Sequence, residues 1–361
     1  MNKKELELYI HIPFCVRKCS YCDFLSVPAT EQTREAYMAA LFAEIGGRAK
    51  DYSDRTVTSI FIGGGTPSLL SGEQIGQLMD RIREQFAMAQ DAEITMEVNP
   101  GTASAEKLRN FYTAGINRLS IGMQSAQAEE LKNLGRIHDF EGFCQVYREA
   151  VEAGFTNINV DIMSGLPGQT LASYRDTLEK VLHLEPMPQH ISAYSLIVEE
   201  GTPFAAMAER GELPLPEEET ERAMYEETIE VLAKYGFHRY EISNYARDGY
   251  ECRHNVGYWI RRDYLGFGIG AASLIDNVRF QNEKSLGAYL AHPLESREEE
   301  QTLTVQDRME ETMFLGLRLT RGVSCVDFAE QYGRTVEEVY GEVIARNVAD
   351  GLLTVTERKE N

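Results

Sequence analysis

Between positions 1 and 200, short runs rich in β-branched and aromatic residues alternate with longer stretches of helical periodicity. The runs "LELYIHIP" (6–13), "VTSIFIGG" (57–64), "EITMEVNP" (93–100), "INRLSIGMQ" (116–124), "TNINVDIMSG" (156–165) and "ISAYSLIV" (191–198) read as strands, because Gly, Pro or Asn bounds each of them. Helices are predicted over 33–48, 71–86, 104–114, 139–153 and 170–184. In the first of these, Ala36, Ala39, Ala40 and Ala43 share a face, with Tyr37 and Leu41 beside it. Six β/α repeats predict an α/β fold with a parallel sheet, either a partial (β/α)6 TIM-like barrel or an open doubly wound sheet. Both place the active site at the C-terminal ends of the strands. A cysteine loop follows the first strand, "GGGTP" the second, "NPG" the third and "MQS" the fourth. We take the partial barrel as the expectation.

Beyond position 200 the pattern changes. "RGELPLPEEETER" (210–222) reads as a Pro- and Glu-rich connection into a helix, and "FHRYEISNYA" and "RHNVGYWIRRDYLGFGIGAASL" as extended, aromatic-rich segments. The charged stretch "ESREEEQTLT" (295–304) reads as a boundary. After it come helices and the strand-like "GLLTVTERKE", as in a small helical or winged-helix-like module. The expected division is therefore 1–220, a barrel; 221–295, an extension with additional strands; and 296–361, the small C-terminal domain. "GFGIGA" (266–271) matches a dinucleotide fingerprint on paper but lacks the following acidic residue, so a close backbone approach is the better reading of its glycines.

Composition narrows the class. With 36 Lys and Arg against 57 Asp and Glu, the formal charge is −21, which disfavours binding to a phosphate backbone. Residues 301–361 carry 7 basic and 11 acidic groups, so a DNA-reading role for the C-terminal module is not expected. No apolar run suits a signal peptide or a membrane span, and a cytoplasmic protein is expected. Six cysteines are too few for a disulfide scaffold, so clustered ones point to metal or redox chemistry. Cys144 and Cys325 fall in helical patterns and read as core residues.

Cys15, Cys19 and Cys22 form a C-x3-C-x2-C loop. A structural zinc site wants four ligands, usually from paired short knuckles, and no partner pair is present. A [4Fe–4S] cluster held by three thiolates keeps its fourth iron open, and Arg17 and Lys18 would offset its negative charge. With an aromatic residue, Tyr21, before the last cysteine, this loop resembles that of the radical S-adenosylmethionine (SAM) superfamily. The resemblance implies that SAM ligates the open iron, and that electron transfer from the cluster cleaves it to a 5′-deoxyadenosyl radical. Over nearly the whole chain, "HIPFC", "GGGTP", "GLPGQT" and the C-terminal module resemble the coproporphyrinogen oxidase-like branch. That likeness implies a SAM site of Tyr9, Tyr21, Gly64, Gly65, Thr66, Glu97, Gln124, Arg136 and Asp161.

Within the branch, oxygen-independent coproporphyrinogen III oxidases carry a further Cys two residues after the third and an N-terminal extension. Here Phe24 occupies that position, and fourteen residues precede Cys15. "RHNVGYW" (253–259) instead matches the H-N-x-x-Y-W motif of the HemW family of haem chaperones. This resemblance implies a haem site of His254, Asn255, Tyr258 and Trp259. His254 would serve as axial ligand and the two aromatic rings as porphyrin-facing surfaces. Cys252 competes as an iron ligand. The expected partners are haem and a haem-acceptor protein, one of a respiratory chain among the options. A homodimer is left open, and oxidative decarboxylation of a porphyrinogen remains the alternative function.

Overall fold

The computed structural model describes residues 4–295 and 297–356. Twelve strands form one sheet: β1 (Lys4–Ile12), β2 (Arg55–Gly64), β3 (Ala87–Val98), β4 (Arg118–Gln124), β5 (Ile158–Ser164), β6 (His190–Ser195), β7 (His238–Arg239), β8 (Asn244–Ala246), β9 (Tyr264–Phe267), β10 (Ala272–Ile275), β11 (Val278–Asn282) and β12 (Arg297–Thr302). Their order is β12-β11-β10-β9-β1-β2-β3-β4-β5-β6-β8-β7. From β9 through β1 to β6 neighbouring strands are parallel, and both flanks continue antiparallel. The sheet curls as a partial barrel and does not close, since β12 and β7 remain at its ends.

Period-two alternation explains how this sheet is dressed. Leu6, Leu8, Ile10 and Ile12 of β1, Ile60 and Ile62 of β2, and Leu119 and Ile121 of β4 belong to one buried apolar cluster with the surrounding helices. The residues between them are polar and buried: Glu7, Ser59, Glu93, Thr95, Arg118, Ser120, Asn159, His190 and Ser192. Cross-strand register brings these together, with Glu7 opposite Ser59, Ser59 opposite Glu93, Thr95 opposite Arg118, and Ser120 opposite Asn159. The outer face is thus a hydrocarbon layer under helices, and the lumen is lined by side chains that need hydrogen-bond partners.

The predicted helices between strands appear at Glu31–Arg48, Gly72–Gln85, Ala105–Thr113, Phe140–Ala153 and Leu171–Leu182. In the first, Ala36, Ala39 and Ala43 face solvent, and Tyr37, Met38, Leu41 and Ile45 make the buried stripe. Larger side chains win that face because they remove more apolar area from water. Four short helices were not predicted: Ala128–Leu134, Pro203–Glu209, Leu286–Ala291 and Arg253–Trp259. The last corrects the expectation of an extended segment at "RHNVGYW". The charged stretch at 295–304 contains β12, an edge strand paired with β11, rather than a bare linker; its charged side chains suit an edge that must not recruit other chains. Helices Val305–Gly316, Cys325–Tyr332 and Val336–Ala349 follow, packed around Met309, Phe328 and Val336. No strand follows residue 302 among the described residues, so no wing is present there; positions 351–356 are irregular, and the rest of "GLLTVTERKE" lies outside them. Cys144 is partly buried as expected, but Cys325 is exposed at the first turn of its helix.

A buried polar knot ties helix Glu31–Arg48 to the β9–β11 flank. One Glu44 carboxylate oxygen accepts from Arg48 at 2.8 Å and from Asn282 Nδ2 at 2.8 Å. The other accepts from Gly268 N at 2.9 Å and Tyr289 Oη at 2.7 Å. Gly268, with φ of 94° and no room for a Cβ against Tyr37 Oη and His11 O, is the close approach expected within "GFGIGA". Glu44→Leu removes the carboxylate facing the Arg48 guanidinium and leaves Gly268 N and Tyr289 Oη without this acceptor in a dry site. We expect a loss of about 3–5 kcal/mol in urea unfolding. A loss within error would mean that the knot does not hold this flank.

Candidate functional site

At the C-terminal ends of the parallel strands lies a cavity of about 350 Å³. The loop after β1 forms one wall, and Cys15, Cys19 and Cys22 all line it. Three contacts hold the loop: Cys15 N donates to Val27 O at 3.3 Å, Ser20 N to Leu134 O at 3.0 Å, and Phe204 N to Ser20 O at 3.0 Å. The unpredicted helices at 128–134 and 203–209 are therefore the supports of the cysteine loop. Arg17 donates to Gly135 O at 2.7 Å and pins the loop from the other side. The three thiols are not disulfide-bonded. No group of three or more His, Cys, Asp or Glu side chains among the described residues closes on a single metal ion. Burial is the largest effect on Cys22 and pushes its thiol up to about 11, so a metal must displace that proton.

The opposite wall is built by the strand ends. Gly64 has φ of 109°, and a Cβ there would stand 2.5 Å from the His11 ring. A Cβ on Gly65 would meet the Phe14 carbonyl at 2.7 Å. The backbone of "GGGTP" thus comes as close to the cysteine loop as a chain can, and only glycine permits it. Thr66 Oγ1 lies 3.4 Å from Cys15 Sγ. Glu97, at the end of β3, accepts from Gly64 N at 3.1 Å. Burial, followed by the neighbouring Asp161, raises its carboxyl to about 8, so it is protonated at neutral pH. Gln124 ends β4 with φ of 69°, beside a register shift between β4 and β5, which is a strained placement for a residue with a Cβ. Arg136 donates to Gly122 O at 2.8 Å and reaches Cys19 Sγ at 3.8 Å, while its buried Nε has no partner. Asp161 accepts from Asn159 at 2.7 Å and Ser120 at 3.1 Å, yet burial still raises its carboxyl above the ordinary range. Tyr21 lines the cavity and packs beside Met163, Leu166 and Phe204. Of the nine residues expected here, Tyr9 alone does not line the cavity; its hydroxyl lies 2.9 Å from His11 Nδ1, deeper in the barrel.

The floor of the cavity carries residues that the sequence reading missed: Arg118, Ser120, Asn159 and Ser192, with Phe61 at the side. Their signal was present as alternation in "NRLSIG", where Arg118, Ser120 and Gly122 share one face and Leu119 and Ile121 the other. Tyr194 and Ile197, which are exposed, continue the lining to the mouth beside Phe24.

Helix Arg253–Trp259 plugs the barrel beneath this floor. Glu93 caps it, with one carboxylate oxygen accepting from Arg253 N and the other from His254 N, each at 3.2 Å. Gly257 sits over Glu7 so closely that a Cβ would collide with the carboxylate. His254 is buried, with Nδ1 2.9 Å from Ser59 Oγ and Nε2 3.0 Å from Tyr258 Oη, and its ring stacks on Phe61 at 5.3 Å. Burial, helped by the Arg118 charge, lowers its pKa to about 3 and keeps the imidazole neutral. Tyr258 stands edge-on between His254 and Tyr264, while Trp259 turns away to lie under Arg318 at 4.2 Å. The two rings therefore do not form one flat surface in this conformation, and of the four residues only Asn255 lines the cavity. Cys252 is fully buried, its Sγ 3.5 Å from Glu93.

Residues 9–181 match the Radical SAM superfamily model, and residues 303–359 match the HemN C-terminal domain. A Bacillus subtilis protein named "Heme chaperone HemW" is 40% identical over 96% of this chain and 92% of its own length. An Escherichia coli protein of the same name is 37% identical over 97% and 92%. The solved structure titled "Coproporphyrinogen III oxidase (HemN) from Escherichia coli is a Radical SAM enzyme" superposes with a TM-score of 0.86 at 29% identity, covering 99% of this chain and 86% of that one. With likeness spanning both the barrel and the C-terminal helices, this chain belongs to the HemW family of radical SAM proteins.

Proposed function

We propose that this protein is a haem chaperone that binds haem, carries a [4Fe–4S] cluster and SAM, and passes haem to an acceptor protein. The observation that carries the reading is the match, over nearly the full length, to relatives named for haem chaperoning. The acceptor belongs, in this reading, to a respiratory chain, and a homodimer is the proposed assembly. A cytoplasmic setting is supported by the six unpaired cysteines. No helix among the described residues is long and apolar enough to cross a membrane.

The residues present fit both groups. Cys15, Cys19 and Cys22 offer three thiols on one cavity wall and no fourth, which leaves one iron of a cubic cluster for another ligand. The cluster would supply an electron to SAM when both are bound. Arg136 has a buried nitrogen to spare beside Cys19, suited to a ligand carboxylate. The Gly64–Gly65 backbone, Thr66, Glu97, Gln124 and Asp161 would hold the remainder of SAM, and Tyr21 would cover the cluster. His254, Asn255, Tyr258 and Trp259 are the residues that would hold haem, with the His254 imidazole available to the iron. To serve as a ligand, His254 Nε2 would have to give up its contact with Tyr258 Oη. Its imidazole is already neutral, the form that ligates.

Oxygen-independent coproporphyrinogen III oxidase is the second reading, favoured by the shared backbone with that enzyme. Against it stands Phe24, more than half exposed at the cavity mouth where the oxidases carry a cysteine.

We expect anaerobic reconstitution to give iron, sulfide and a charge-transfer spectrum that Cys19→Ser abolishes and Cys325→Ser leaves intact. Because a cationic ligand favours ionised Glu97, SAM binding should release a proton. Its affinity should rise as pH rises toward about 8 and level above it. Calorimetry in buffers of different ionisation enthalpy reads this directly, and a pH profile unchanged in Glu97→Gln would remove Glu97 from the site. Haem titration should saturate, with affinity reduced at least about tenfold in folded His254→Ala while cluster iron is retained. Coupled formation of 5′-deoxyadenosine and CO2 from coproporphyrinogen III would establish the second reading instead.

A further inference from the structure

The cavity floor holds a buried cation that no side chain among the described residues contacts as a hydrogen-bond or ion-pair partner; Glu93 and Asp161 act on its charge only through space. Arg118 is 2% exposed and lines the cavity. Its Nε is buried without a partner, and its guanidinium enters no hydrogen bond or ion pair among the described residues. The surrounding groups are otherwise committed. Glu93 caps helix 253–259, and Asp161 is held by Asn159 and Ser120. His190 is fixed between Asn159 Oδ1 at 2.6 Å and Tyr240 Oη at 2.9 Å. The Asn255 amide also lines the cavity and enters no side-chain hydrogen bond among the described residues.

An arginine taken from water and left unpaired is costly, and protein interiors hold one only when something else completes it. A guanidinium in a concave site matches a carboxylate through two parallel N–H···O bonds, and a neighbouring amide N–H supplies a third. We propose that Arg118 and Asn255 form a carboxylate-binding subsite at the cavity floor, so that the organic ligand seated above it bears a carboxylate side chain. Resting on the proposed haem-chaperone function, that ligand is a porphyrin, bound by an acidic side arm. The subsite lies apart from Arg136, which stands beside the cysteine loop at the mouth.

The carboxylate could come from the porphyrin or from SAM, and separate titrations distinguish them. Haem and iron-free coproporphyrin III are titrated against their methyl esters, and SAM is titrated alone, in wild-type protein, Arg118→Gln and Arg118→Lys. The subsite predicts that wild-type protein prefers free acids to esters on the order of tenfold to a hundredfold. Arg118→Gln should erase that preference with SAM affinity unchanged, and Arg118→Lys should keep part of it. A loss of SAM affinity with the acid preference intact assigns the floor to SAM and overturns the proposal. Equal binding of acids and esters by wild-type protein also overturns it, even if neither variant folds. Failure to bind haem with a retained preference for coproporphyrin III overturns the haem reading alone and supports the subsite.

Discussion

The parallel strands spend most of their apolar residues on the helix side, and that leaves the barrel interior lined largely with buried polar groups. Burial of such groups is tolerable only when each finds a partner. Much of the chain beyond the six β/α repeats answers this need. Helix 253–259 brings its N-terminal amides to Glu93 and its imidazole to Ser59, and Tyr240 completes His190. The C-terminal helices then hold the plug from below, with Arg318 over Trp259 and Glu311 pairing Arg261 at 2.8 Å. Remove the plug and Glu93, Ser59 and Glu7 face a void.

Where the partners stop, the cavity begins. Its upper part is a cradle of strand ends and glycines facing three thiols, and its lower part is a polar floor with an unpaired guanidinium. The two parts differ in charge. Above, burial raises the Glu97 carboxyl to about 8 and the Asp161 carboxyl above its ordinary range. Below, Arg118 is receptive to an anion.

The plug also joins the two ends of the chain's chemistry. Asn255 reaches the cavity from the same helix that carries His254, and the helix is seated on Glu7, whose carboxyl burial raises to about 8. Any shift of this helix changes the cavity floor, the Glu93 cap and the seat of Trp259 together.

Read from sequence alone, the six strand and helix repeats and the cysteine loop were legible, while the site residues at the strand ends were named through a family resemblance. Alternation, glycine placement and spacing are local properties that survive without knowledge of the fold. The partial barrel, with its motifs at the C-terminal strand ends, followed from the same evidence. Tertiary packing decided what locality does not encode. "RHNVGYW" has aromatic and β-branched residues that suit a strand, yet it is helical because Glu93 caps it and Gly257 fits over Glu7, contacts more than a hundred positions away in sequence. Arg118 looked like one charge in a strand, because only cross-strand register and the commitments of its neighbours leave it unpaired. The edge strand β12 likewise reads as a charged linker until β11 supplies its hydrogen bonds. Residues whose conformation is set by the chain beside them were readable; those set by long-range partners took the fold to reveal.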